Sequence, residues 1–104
     1  MTTYFLWLDN TIIGMYQVIH ELTDFQKEHD GHIAYTLLKE FRGNGYATKG
    51  LSLVIEDAKT YIKEDEIYMH TTKDNQASLH VMLNNGAYIS KETDIDCFTR
   101  IKIK

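Results

Sequence analysis

The junction at residues 35–48, Tyr-Thr-Leu-Leu-Lys-Glu-Phe-Arg-Gly-Asn-Gly-Tyr-Ala-Thr, constrains this chain more than any other stretch. A short apolar segment enters a glycine-bearing turn, and the turn opens a long amphipathic helix. Ala47, Leu51, Val54, Ile55, Ala58 and Ile62 recur at helical spacing, while Lys49, Glu56, Asp57, Lys59 and Lys63 occupy the opposite face. Gly43 and Gly45 carry no Cβ, so the backbone there can turn sharply and approach a ligand closely. The first N–H groups of the helix have no partner within it, and their dipoles point the same way. The turn therefore favours an anion, and phosphate is the usual guest.

The spacing excludes two familiar phosphate loops. A Walker loop needs Gly-Lys followed by Ser or Thr, which is absent. A dinucleotide fingerprint would need a third glycine at position 48, where Thr48 stands. The pattern that remains, Arg42-x-x-Gly45-x-Ala47, resembles the coenzyme A signature of the GNAT acetyltransferase superfamily, [QR]-x-x-G-x-[GA]. Residues 75–88, Asn-Gln-Ala-Ser-Leu-His-Val-Met-Leu-Asn-Asn-Gly-Ala-Tyr, resemble that family's later motif: an Asn, a small residue three on, an apolar helix and a closing Gly-aromatic pair. Order and separation agree with the family, and the resemblance covers residues 3–104.

The remaining segments read as a frame for this turn. Residues 3–9 alternate, with Tyr4, Leu6 and Leu8 on one face and Phe5 and Trp7 on the other, which predicts a strand apolar on both sides. Asp9-Asn10-Thr11 is turn chemistry, and residues 12–22 form the second strand of a hairpin, with Gly14 marking a bulge. The polar residues 23–30 read as a loop. A third strand, Gly31–Leu38, delivers the chain to the turn. After the helix, Glu66–Thr72 is a strand, so strand, helix and strand imply a right-handed parallel crossover with the ligand site at the carboxyl ends of its strands. Asp74 or Asn75 caps a short helix running to Leu83 or Asn84 with Leu79, Met82 and Leu83 as its stripe, and Gly86 suits its left-handed end. Tyr88 onward is extended, and residues 96–103 alternate. The expected fold is thus α/β (α+β): one domain over residues 1–104, with a mixed, mostly antiparallel twisted sheet around a central parallel β-α-β crossover, as in GNAT-like acyl-CoA N-acyltransferases.

Composition narrows the function classes. The 104 residues carry a net charge of −4 without a Lys/Arg block, which disfavours duplex nucleic acid. No apolar run approaches the roughly 20 residues of a membrane span, and the N-terminus lacks a signal-peptide pattern. The single cysteine, Cys97, has no internal disulfide partner and reads as a half-buried strand residue; these features suit a reducing cytoplasm. His29 and His32 are spaced like part of a zinc pair but lack two further ligands, so no metal is expected.

The resemblance implies a mechanism. Acetyl-CoA would be the cosubstrate, with its pyrophosphate on the backbone amides of Gly43, Asn44, Gly45, Tyr46, Ala47 and Thr48 and Arg42 beside them. Its pantetheine arm would pair with Tyr35, Thr36 and Leu37, and the Leu37 N–H would face the thioester carbonyl as an oxyanion donor. Asn75 matches the family Asn near the arm, and Ser78 the small residue beside it. The family often has a Glu general base five residues before that Asn; here the position is His70, whose ordinary pKa near 6.5 suits the task. The family's Tyr general acid, seven residues after the Asn, is replaced by Met82, which has no proton to give. Family members usually begin with a strand and two helices that wall the acceptor site, whereas this sequence starts near the hairpin. A homodimer covering the open edge is therefore expected. Three functions stay open: an N-acetyltransferase for a small or peptide amine, a coenzyme-binding module without transfer activity, and an interaction domain. The two glycines and Asn75 argue against the last. The acidic residues Asp24, Glu28 and Asp30 favour a cationic acceptor by steering.

Overall fold

Two antiparallel three-stranded sheets carry the fold in the computed structural model, which describes residues 1–104. In the first, β1 (Thr2–Leu8) pairs with β2 (Thr11–Val18), and β2 pairs with β3 (Ile33–Leu37). Asp9 turns the hairpin in the left-handed region, φ 54°, which a short polar side chain tolerates. The register slips between Leu6 and Trp7, leaving Ile13 as the extra residue beside Gly14, where the bulge was expected. Tyr4, Leu6 and Leu8 are half-buried, while Phe5 and Trp7 stay exposed on the outer face. Strand β2 ends earlier than its apolar run.

Residues 24–29 correct the sequence reading. They form a helix, α1 (Asp24–His29), not a loop. The Thr23 hydroxyl accepts from the Gln26 N–H at 3.2 Å, and the Gln26 side chain accepts from the Thr23 N–H at 2.9 Å, a reciprocal cap at the helix start. No residue of α1 is buried, so the apolar stripe that reveals other helices is absent here.

The long helix α2 (Tyr46–Ala58) stops short of Ile62, which a final turn still buries through its N–H to the Ala58 carbonyl at 2.9 Å. It is followed by β4 (Glu66–Thr72), α3 (Gln76–Asn84), β5 (Tyr88–Glu92) and β6 (Asp96–Lys102). The second sheet has the order β4-β6-β5, antiparallel throughout. Leu51, Val54, Ile55 and Ala58 of α2 pack in one core with Tyr16, Val18 and Ile33 of the first sheet, Ile67, Met69 and Ile101 of the second, and Met82 of α3. The helix therefore binds both sheets into a single unit.

The crossover strands β3 and β4 form no ladder. They meet at one point, where the His32 N–H donates to the Tyr68 carbonyl at 2.7 Å and the Tyr68 N–H donates to His32 Nδ1 at 2.9 Å. The approach is close enough to require the adjacent glycine: a Cβ on Gly31 would lie 2.6 Å from the Tyr68 oxygen. Beyond that junction the sheets splay, and two clefts open between them.

Candidate functional site

The first cleft, about 540 Å³, follows the carboxyl end of β3 into the start of α2. Its walls are Tyr35, Thr36 and Leu37, the turn residues Arg42, Gly43 and Gly45, the helix start Tyr46 to Thr48, and Asn75, Ala77, Ser78, Val81 and Asn84 from α3. Gly43 and Gly45 have φ of 83° and 80°, a conformation that L side chains rarely adopt, and space is open where a Cβ would stand. No side chain caps α2, so its leading N–H groups remain available to a ligand.

No strand lies beside β3 on the cleft side. Leu38 N–H donates to the Ile13 carbonyl, which makes Leu38 and Ile13 a hydrogen-bonded pair of the antiparallel ladder. Alternation then turns the N–H and C=O groups of Tyr35 and Leu37 away from β2, towards the gap. Arg42 Nε reaches back to the Leu37 carbonyl at 3.1 Å and closes the turn onto the strand. Asn44 is the one expected turn residue outside the cleft; its side-chain amide folds back towards the Phe41 and Arg42 carbonyls.

The second cleft, about 390 Å³, contains His70, Thr71, Met82, Asp30 and Ile33, and it shares Tyr35, Asn75 and Ser78 with the first. His70 Nε2 lies 2.8 Å from Asp96 Oδ1, and its ring rests on Phe98 at 4.9 Å. Asn75 caps α3, its Oδ1 accepting from the Ser78 N–H at 3.1 Å. The Asn75 amide nitrogen is not needed for the cap. Met82 is 1% exposed, and its sulfur accepts the Thr99 hydroxyl at 3.3 Å, so it is a core residue at the cleft floor.

Residues 2–88 match the acetyltransferase (GNAT) domain family. The chain belongs to that family. Solved GNAT structures share its fold. An acetyltransferase from Bacillus anthracis superposes with a TM-score of 0.75 at 17% identity, over 91% of this chain and 61% of its own. A Campylobacter jejuni N-acetyltransferase in complex with acetyl coenzyme A gives 0.67 at 16%, over 92% and 63%. A Vibrio cholerae spermidine N-acetyltransferase in complex with CoA and spermine gives 0.65 at 16%, over 91% and 60%. The chain thus spans about 60% of the length of these relatives. No curated protein matches at the level of sequence.

Several residues hold the walls of these clefts in roles that the sequence does not announce. Asn85 donates from Nδ2 to the Thr48 carbonyl at 3.2 Å and to the Val81 carbonyl at 2.9 Å, tying α3 to the first turn of α2. His32 is buried at the base of the second cleft, and its Nε2 meets Glu64 at 3.0 Å. Because Nδ1 accepts from Tyr68, the proton of the neutral ring sits on Nε2 and is donated to Glu64. Burial holds the His32 pKa below its ordinary value despite the carboxylate. Burial pushes Glu64 the other way, but hydrogen bonds from His32 and the Leu22 N–H outweigh it and keep its pKa low. His29, by contrast, bonds the Phe25 carbonyl within α1. The two histidines are thus engaged separately. Tyr16 lies behind the site: its hydroxyl donates to the Ala47 carbonyl at 3.0 Å, its ring stacks on Tyr35, and burial raises its pKa to about 12.

Proposed function

We propose that this chain is an N-acetyltransferase that moves the acetyl group of acetyl-CoA to a primary amine by direct attack with both substrates bound. One observation carries the reading: an uncapped helix N-terminus, two left-handed glycines and the unpaired edge of β3 line a single cleft that joins the cleft holding His70. The donor set fits the cosubstrate. The amides from Gly43 to Thr48 hold the pyrophosphate, helped by the charge of Arg42. The outward amides of Tyr35 and Leu37 pair with the pantetheine arm beside Thr36, and Asn75 and Ser78 face it from α3. Acetyl-CoA supplies an acyl group already activated as a thioester. The Leu37 N–H stabilises charge on the carbonyl oxygen during attack, a contribution of about 10²–10³-fold for such a donor in other enzymes.

The amine enters by the second cleft and must be neutral to attack. His70, oriented by Asp96, takes the proton that the nitrogen sheds as the new bond forms. Asp30 on the wall of that cleft favours a cationic acceptor such as a polyamine or a peptide amine. Self-association across the outer face of β1 and β2, where Phe5, Trp7 and Ile12 are exposed, completes the reading; sedimentation showing monomer across a concentration series removes that part. The buried, aprotic Met82 favours one rival, a module that binds the coenzyme without transfer.

Calorimetric titration with acetyl-CoA and with free coenzyme A tests the reading. Heat that disappears in Gly45→Val, followed by thiol release on addition of an amine, is the expected result. Binding without turnover for any amine leaves the binding module. A folded sample with neither heat nor thermal stabilisation overturns both.

A further inference from the structure

We infer that Tyr35 is the general acid of the transfer, delivering its hydroxyl proton to the sulfur of coenzyme A as the thioester bond breaks. The inference rests on the acetyltransferase reading. Only Tyr35, Asn75 and Ser78 border both clefts, so they surround the point where an acyl group in the first would meet an amine in the second. Of these three, Tyr35 alone has an ionisable side chain.

Its position is built rather than incidental. The ring leaves β3, stacks on Tyr16 at 5.5 Å and spans the gap to α3, where its hydroxyl lies 2.8 Å from Ser78 Oγ and 3.3 Å from the Ser78 carbonyl. Tyr16 is 2% exposed and held by the Ala47 carbonyl, so the wall behind Tyr35 cannot yield easily. Ser78 Oγ can donate to the phenolate that remains after proton transfer, and this partner limits the penalty of forming a charge there. Burial raises the Tyr35 pKa, against the effect of Ser78, and so keeps the proton in place until it is needed.

The amine nitrogen forms a bond to the acyl carbon and surrenders a proton to His70. The carbon–sulfur bond breaks, and its electron pair goes to sulfur. Sulfur takes the Tyr35 proton, giving coenzyme A as the thiol. His70 gives up its proton to water in the open cleft and Tyr35 takes one from the same water, so both groups return to their starting states with no net gain or loss of protons. Met82, one helical turn beyond Ser78, can supply no proton, and Tyr35 reaches the same helix face from the opposite wall.

The test uses the whole chain, with spermine and a short peptide amine as acceptors. Tyr35→Phe is expected to bind acetyl-CoA as the wild type does, by calorimetry, while kcat for thiol release falls about a hundredfold and KM for acetyl-CoA holds. The alkaline limb of the kcat profile should vanish with it. Difluorotyrosine at position 35 preserves shape and lowers the phenol pKa, so it should move that limb to lower pH. Unchanged kcat in Tyr35→Phe, loss of coenzyme binding together with activity, or an alkaline limb indifferent to fluorination would each overturn the assignment. Wild-type protein that binds acetyl-CoA but releases no thiol with either amine also overturns it. No binding at all would instead refute the coenzyme reading beneath it.

Discussion

Replacing Gly50 by Ala sets two physical effects against each other, and their sizes decide the outcome. Gly50 is buried within α2, where alanine's better helix propensity would stabilise by about 1 kcal/mol. The space is taken, however: a Cβ there would lie 2.2 Å from the Tyr16 hydroxyl oxygen and 2.8 Å from ring atom Cζ. Tyr16 must move. Overpacking of this kind costs about 1–3 kcal/mol, and the Tyr16 bond to the Ala47 carbonyl, worth about 1 kcal/mol, is lost with it. The net expectation is a destabilisation of about 2 kcal/mol. For a domain of this size that lowers Tm by about 8–16 °C. Thermal unfolding of wild type, Gly50→Ala, Tyr16→Phe and the double variant forms a cycle. With the hydroxyl gone, the nearest atom recedes from 2.2 to 2.8 Å, so Gly50→Ala should cost about 1 kcal/mol less in the Phe background. The displaced ring also stacks on Tyr35, so acetyl-CoA affinity should weaken in Gly50→Ala. A higher Tm for Gly50→Ala, or the same cost in both backgrounds, would refute the packing argument.

Three other outcomes follow from the geometry. His32 is neutral when folded and its pKa is depressed, so its contribution is complete above the unfolded value near 6.5 and declines below it, as the unfolded chain protonates first. Urea unfolding at pH 7.5 and 5.5 should show a drop of up to about 1.4 kcal/mol per pH unit from this residue, and the drop should shrink in His32→Gln. Thr23→Ala should remove the cap of α1 at a local cost of about 0.5–2 kcal/mol, read as faster amide exchange over residues 24–29 with little change in Tm. His70→Gln should lower kcat about a hundredfold while acetyl-CoA still binds, measured by thiol release and calorimetry.

Much of this site was legible because its chemistry is local. The turn, the two glycines and the amphipathic helix are adjacent in sequence, and each declares itself through spacing or through a missing Cβ. The same holds for Asn75 and Ser78, a cap and the N–H that it accepts from. The helix α1 was missed for a local reason as well. Its Thr23-x-x-Gln26 cap was readable, but Phe25 is 66% exposed and no stripe accompanies it. Asp96 was not paired with His70 because only the register of β4 against β6 brings them together, opposite Phe98 and Thr72.

Alternation, helical periodicity and glycine placement, which are properties of neighbouring residues, determined the strands, the long helix and the turn that opens it from the sequence alone. Whether β3 and β4 would pair could not be read this way. Their contact depends on a buried histidine that joins them at Tyr68, beyond which they belong to two separate sheets. That splay creates the clefts, and it sets Tyr35 against Ser78, 43 positions away in the chain. Such juxtapositions depend on packing across the whole core, which no short window of sequence contains.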